Sequence, residues 1–381
     1  MREGFEVRKV FEHLDRLAYE IGPRRTGSKG GERAVEYLSS RLREWGLRVV
    51  RQEFKFVSQE ERLGALLLLG LTSLLLSFLL SPFFSLLLWS PVLLLALRPE
   101  LLPGRRACNL LAEVGGKGER RVLLAHWDSA PCSSLPRLHD FLILSRPLTL
   151  LLPTLLLLLR FPFPSLWPLG GILALLLFSL PLSLSLLSLS GASPGANDNA
   201  SGVALLLEVA RVCSQLNPRP PLLVVFTGAE EEGLWGSKAL ASGGFLREGD
   251  RILNVDTVGV GRPYVVTGGG LVRRRRTPSW LNREVKECLE KEGLRPGEWW
   301  TVFSFHDHLP LLHRGFPATT LTADVRPRRG LLLRLGPREA GRRGWRYLHT
   351  EEDLPERLDL STLERVGRAL LRFVGAGEPE G

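Results

Sequence analysis

The sequence predicts an α/β fold, an open central sheet flanked by helices, into which two apolar helical hairpins are inserted. Three observations predict it. Apolar strand-like runs alternate with helix-like stretches along much of the 381 residues. Strand ends present Asp128, Glu230, Glu231 and Asp256, and an open α/β sheet gathers its site at the carboxyl ends of its strands. The apolar residues are concentrated where charge is missing, with no charged side chain over 63–97 or 161–197 and another Leu-rich run at Pro147–Leu159.

Taken in order, residues 5–21 put Phe5, Val7, Val10, Phe11, Leu14, Leu17 and Ala18 mostly on one helical face. The turn-like GPRRTGSKGG leads to a second helix over 32–45, and Gly46 leads into the strand LRVVRQEFKFV. The run 63–97 breaks at Ser81-Pro82 into two stretches near the ~17–25 residues that cross a bilayer as a helix, a hairpin. CNLLAEV and RRVLLAHWDS follow as strands joined by the turn GGKGE. Spans over 141–159 and 168–190, separated by FPFPSLWP, make a second hairpin. Each hairpin returns the chain to the side it left. Residues 1–381 therefore read as one domain with membrane-crossing insertions at 61–103 and 137–192. Downstream, GVALLLEVARVCSQL is a helix, PLLVVFTGAEEEG a buried strand ending in an acidic loop, and RILNVDTVG a strand ending at Asp256. A helix over 281–292, a strand over 318–322 and a closing helix over 361–374 complete the pattern.

The net charge of +10 comes largely from arginine, dense at Arg273–Arg276 and between Arg326 and Arg346. No aromatic interleaving of a nucleic-acid platform accompanies it, so no nucleic-acid partner is expected. Membrane lipid with anionic headgroups suits the nearby apolar insertions better, beside the plain reading as solvated loops. The four cysteines form no CxxC pair and indicate neither a disulfide framework nor a cysteine metal site. The charged N-terminus has no apolar core of a secretory signal, and none is expected. Nothing in the sequence fixes an oligomeric state.

The chemistry lies in five separated blocks. HWDS carries His126 and Asp128, GANDNASG carries Asp198, FTGAEEEGLWGS carries Glu230 and Glu231, NVDTVG carries Asp256, and LHTEEDLPE carries His349. Each has an ordinary alternative by itself: Asp198 caps the helix that starts near Ser201, and three clustered glutamates form a solvated loop. Together, two imidazoles and three carboxylates suit two Zn2+ ions if one carboxylate bridges them, and Co2+ or Mn2+ accept the same donors. Glu230, beside a ligand, is placed to act as general base, with Glu232 left to solvent.

In this order the blocks resemble the signatures of the M28 family of zinc aminopeptidases, and GPRRTGS is similar to that family's opening. The resemblance covers the chain outside the insertions and implies a mixed, mostly parallel sheet covered by helices. It further implies that His126 and Asp256 hold one zinc, Glu231 and His349 the other, and Asp198 bridges them. Glu230 would deprotonate the attacking water, Asp128 would orient His126, and the substrate would be a peptide. FHDHLPLLHRGFPAT is similar to another family block, implying that Asp307 and His308 line the substrate pocket. His306 stands there in place of serine, and Leu354 replaces a common threonine in the last block. His306 and His308 are expected in hydrogen-bonded roles rather than as a further metal pair. Two other readings are a single-zinc acyltransferase of the glutaminyl cyclase type and a non-catalytic membrane scaffold. Arg62, Arg98, Arg105, Arg106 and Arg137 flank the hairpins on the domain side, against Arg160 in the far loops, which predicts a multi-pass protein with its catalytic domain in the cytoplasm. The competing reading is an apolar lid or partner surface that does not cross.

Overall fold

The computed structural model describes residues 4–132, 136–189, 191–269, 274–301, 306–323 and 347–376. The arginines between Arg326 and Arg346, and Arg273, lie outside the described residues, as does the side chain of Arg137. By packing, the chain divides into unit 1, residues Met1–Phe54, Arg106–Ala130 and Ala192–Gly381, and unit 2, residues Lys55–Arg105 and Pro131–Gly191.

Along the chain run α1 (Val7–Asp15), α2 (Lys29–Glu44), β1 (Arg48–Phe56), α3 (Gln59–Leu76), α4 (Pro82–Leu97), β2 (Arg105–Gly115) and β3 (Arg121–His126). The two-residue strands β4 (Pro131–Cys132) and β5 (Gly191–Ala192) bracket α5 (Pro136–Leu159) and α6 (Trp167–Leu187) and pair with each other. Then come α7 (Ser201–Ser214), β6 (Leu222–Thr227), α8 (Trp235–Ser242), β7 (Arg251–Val255), β8 (Pro263–Gly269) and β9 (Arg275–Arg276). Last are α9 (Ser279–Lys291), β10 (Gly297–Thr301), α10 (His308–His313), β11 (Ala318–Ala323) and α11 (Leu360–Phe373).

Unit 1 is built on a mixed sheet in the order β1-β2-β6-β3-β7-β11-β8-β10, with β9 on β8. β3 is parallel to both β6 and β7, β11 to β7 and β10 to β8, whereas β2 on β6 and β11 on β8 are antiparallel. This is the α/β fold the sequence predicts. One local expectation fails: β2 and β3 are consecutive but not neighbours, because β6 lies between them. A turn such as GGKGE permits a hairpin, yet the all-apolar LLVVF of β6 gains most when strands cover both its edges.

Side chains alternate across the sheet. Leu123 and Ala125 of β3 enter the core under α1, α2, α7, α9 and α11, while Val122 and Leu124 face the core shared with Leu240 of α8 and Leu311 of α10. α7 is buried along its whole length. β8, β10 and α8 had no counterpart in the sequence reading; PYVVTGG and GEWWT are short runs whose strand character depends on neighbours in the sheet.

Unit 2 holds four helices, with α3 packed on α4 and α6, and α5 on α4 and α6. α3 starts before its apolar run because Ser58 and Glu61 form a reciprocal capping box. At Gly70 the helices approach so closely that a Cβ would lie 2.1 Å from the Phe178 ring. Among the described residues one helix, Pro164–Leu187, is long and apolar enough to cross a membrane; α4 and Ser145–Leu159 are shorter.

Candidate metal centre

β3 ends at His126, whose Nδ1 donates to the Asp128 carbonyl at 3.1 Å. That bond fixes the ring and turns Nε2 toward two carboxylates, 3.2 Å from Asp198 Oδ1 and 3.5 Å from Asp256 Oδ1. The expected orienter was the Asp128 carboxylate. It stands 3.8 Å from Nδ1 instead and accepts the backbone N–H of Glu230 and of Glu231, each at 3.3 Å. Because the strand stops at His126, the Asp128 side chain is free to turn to the next loop.

Asp198 sits in a short π-helical segment, Ala196–Ala200, at a non-helical φ of −117° and ψ of 93°. The neighbouring side chains free it from capping. Asn199 Oδ1 accepts from the N–H of Gly202 at 3.1 Å and of Thr257 at 3.2 Å, and Asn199 Nδ2 donates to the Val255 carbonyl at 2.8 Å. Asn197 Oδ1 accepts from Gly259 at 2.8 Å. GANDNASG is thereby stitched to NVDTVG, and the Asp353 carboxylate holds the Asn197 and Asp198 N–H groups at 2.8 and 3.1 Å.

The two oxygens of Asp198 face opposite partners. Oδ1 faces His126, while Oδ2 lies 3.1 Å from His349 Nε2, itself 3.6 Å from Glu231 Oε2. Ligand atoms of His126, Asp198 and Glu231 fall within 4.8 Å of one another. Ala229, Thr257 and His349 adopt positive φ of 53°, 57° and 55° beside Glu230, Asp256 and in the last block. For residues with a Cβ such a backbone costs on the order of 1–3 kcal/mol each, held in place by the surrounding hydrogen bonds.

Carboxylates outnumber imidazoles here, and the electrostatics record it. Burial, with Asp198 close by, pushes the Glu231 carboxyl up to about 8. Burial also drives Glu230 far above the ordinary range, against the pull of His126 and with repulsion from Glu231, Asp307 and Asp256. Burial opposes a charged Asp198, yet hydrogen bonds from His126 and His349 bring its carboxyl down to about 2. Burial likewise opposes an imidazolium at His126, but Glu230, Asp198 and Asp256 hold its pKa well above the ordinary value. A donor set so rich in negative charge, with the Nε2 atoms of His126 and His349 on either side of Asp198, fits divalent cations.

Other residues of the site had no individual role in the sequence reading. Three consecutive residues of GPRRTGS each hold a different part of it. Arg24 is fully buried and donates to the carbonyls of Trp127, Leu17, Gly22, Pro194 and Gly195 at 2.6–3.3 Å. Arg25 pairs with Glu232 at 3.1 Å, so Glu232, expected in solvent, is buried. Thr26 Oγ1 accepts from the Ala229 N–H at 3.0 Å. Arg24→Met is expected to destabilise unit 1 by roughly 3–5 kcal/mol, because hydrogen bonds from a charged group are lost and buried carbonyls are left unmet. Arg24→Lys should restore little, having no planar fork. Chemical denaturation of both variants checks this; a loss under about 1 kcal/mol would rule it out.

His306 donates Nδ1–H to Asp256 Oδ2 at 2.6 Å, while Thr257 Oγ1 donates to Oδ1 at 2.9 Å. Asp307 and His308, expected to line the substrate pocket, are fully buried. Asp307 Oδ2 accepts from Thr227 Oγ1, and His308 Nδ1 meets Thr320 Oγ1 at 2.7 Å. Among the described residues neither Asp307 Oδ1 nor His308 Nε2 has a hydrogen-bond partner. His308 opens helix α10, so the two histidines share no strand face.

Comparison with known proteins agrees with this architecture. A probable zinc metalloprotease of Leptosphaeria maculans is 39% identical over 71 residues, 18% of this chain and 16% of the relative. A vacuolar membrane protease of Schizosaccharomyces japonicus is 36% identical over 67 residues, 18% of this chain and 8% of its own length. The matched stretches are thus small parts of those relatives. Among solved structures, a Zn-dependent exopeptidase from Parabacteroides distasonis superposes with a TM-score of 0.61 at 16% identity, covering 98% of this chain and 99% of that one. Porphyromonas gingivalis glutaminyl cyclase gives 0.61 at 15% identity, covering 97% and 98%. A leucine aminopeptidase precursor from Bacteroides thetaiotaomicron gives 0.60 at 16%, covering 100% and 99%. These establish the zinc-exopeptidase fold. The profile of Peptidase family M28 matches residues 179–374, slightly more than half of the sequence, and the chain belongs to that family.

Proposed function

We propose that the protein is a membrane-embedded zinc aminopeptidase. His126 and Asp256 would hold one ion, His349 and Glu231 a second, with Asp198 shared between them. The observation that carries this reading is the two-sided arrangement about Asp198, with Oδ1 at 3.2 Å from His126 Nε2 and Oδ2 at 3.1 Å from His349 Nε2. Bound zinc supplies polarisation of the scissile carbonyl and lowers the pKa of water.

The chain's own side chains do the rest. Glu230 accepts the proton of the attacking water and delivers it to the leaving amine. Asp128 positions Glu230 and Glu231 through their backbone N–H groups. His306 and Thr257 each donate to one oxygen of Asp256, fixing the carboxylate plane. Asp307, held by Thr227, and His308, held by Thr320, line the inner wall of the substrate pocket.

Relatives named zinc metalloproteases and a leucine aminopeptidase neighbour favour a peptide substrate. The apolar exterior of unit 2 favours lipid around it, and arginines at the hairpin bases favour a cytoplasmic catalytic unit. A second reading, glutaminyl cyclisation with one zinc, has a specific warrant in the glutaminyl cyclase neighbour. The test is metal content per chain of the detergent-purified protein, together with turnover of free and N-acetylated peptides. Two zinc ions and cleavage that requires a free amine are expected. One ion with cyclisation of N-terminal glutamine supports the second reading, and internal cleavage of acetylated peptides overturns the exopeptidase.

A further inference from the structure

Around an apolar interior that includes Leu66, Leu74, Trp89 and Phe178, unit 2 buries hydroxyls and exposes leucines. Ser73, Ser77, Ser85, Thr149 and Ser185 are buried, whereas Leu68, Leu79, Leu97, Leu169 and Leu187 expose 68–83% of their surface. The inward hydroxyls find partners within the unit: Ser73 Oγ donates to the Leu88 carbonyl at 2.8 Å, and Trp89 Nε1 donates to Thr154 Oγ1 at 2.8 Å. Largely apolar outer faces, with hydroxyls bonded within the unit, are what acyl chains require.

The far end of the bundle, where the α3–α4 and α5–α6 turns meet, lacks the polar loop that an aqueous compartment requires. It exposes Phe78, Leu79, Phe83, Phe84, Phe161 and Phe163. Its one charge, Arg160, is turned back onto the bundle. The guanidinium donates to the Ser77 and Leu80 carbonyls and to Ser85 Oγ, and lies 5.0 Å over the Trp167 ring. At the opposite end Arg146 Nη2 reaches Gln59 Oε1 at 3.4 Å, at the start of α3.

The distance between these two levels limits how deep three of the four helices reach. Along α3 from Arg62 to Ser77, along α4 from Ser85 to Arg98, and along α5 from Arg146 to Arg160, the helical rise gives about 20–23 Å, against ~30 Å of bilayer hydrocarbon. With the basal arginines at the near headgroups, the turns come to rest within the hydrocarbon. α6 is longer, and its additional turns run toward Ser185 and Ser188 at the base.

We infer that unit 2 is a re-entrant lipid anchor: the four helices enter the bilayer from one face, and their turns end inside it without emerging on the other side. This rests on the membrane reading proposed above. It is tested in sealed membrane vesicles of both orientations, with a membrane-impermeant maleimide and the full chain carrying Cys288→Ser, since the other three cysteines are buried. Leu79→Cys and Phe163→Cys are introduced singly, and Lys117→Cys, in the exposed β2–β3 turn, marks the near side. The expected result is Lys117→Cys labelled from one face only, with both tip positions unlabelled from either face until detergent is added. Tip labelling from the face opposite Lys117→Cys would overturn the inference while sparing membrane insertion. Tip labelling from the same face, with extraction of the protein at alkaline pH, would overturn membrane insertion itself. Zinc content of each variant reports retention of the fold.

Discussion

Glu230→Gln is expected to lower kcat by about 10²- to 10⁴-fold, the range for loss of a general acid–base, while leaving bound metal and stability unchanged. The substitution keeps the shape of the side chain and its N–H bond to Asp128, but an amide cannot take a proton from water. Glu230 belongs to neither donor group about Asp198, so metal content should stay at the wild-type level. In the chain alone its carboxyl is held high by burial and by neighbouring acids; divalent cations bound beside it would favour its ionised form. The measurement is kcat with metal content on the same preparation. Wild-type turnover would remove Glu230 as the base, and a loss of metal would make it a ligand.

Asp198→Asn is expected to release metal from both sides of the site at once. The replacement turns one anionic oxygen into an amide N–H₂ that repels a cation and the imidazole-side donors alike. Even residues hydrogen-bonded to metal ligands cost 10- to 100-fold in affinity when altered, so a shared ligand should exceed about 100-fold. Mass spectrometry after dialysis reads the result, and peptide turnover should fall with it. Retention of one tightly held ion would show that Asp198 serves a single side. The fold should survive, because Asn197, Asn199 and Asp353 make the loop's hydrogen bonds without the Asp198 carboxylate.

Much of the site was legible in the sequence because the required chemistry restricts residue type. Imidazoles and carboxylates after apolar strands are few, and five blocks in a family order leave little freedom. The supporting residues were not legible, since their partners are remote. Arg24 bonds carbonyls more than 100 residues away, and Arg25 neutralises Glu232 across 207 positions. Local sequence around Glu232, three acids before a glycine, describes a solvated loop; the approach of Arg25 helps make its burial tolerable.

The sequence by itself determined the α/β class and the family, and singled out the candidate acidic donors and the two uncharged apolar runs, because periodicity and residue chemistry are local properties. Tertiary structure decided which strands are neighbours, placing β6 between β2 and β3, and which oxygen of Asp198 faces which histidine. It also decided that the two insertions pack into one four-helix unit, with hydroxyls inward and its single far charge turned onto backbone carbonyls. Those outcomes depend on long-range pairing of hydrogen-bond donors with acceptors and on the burial of apolar surface, neither of which is a property of any one segment.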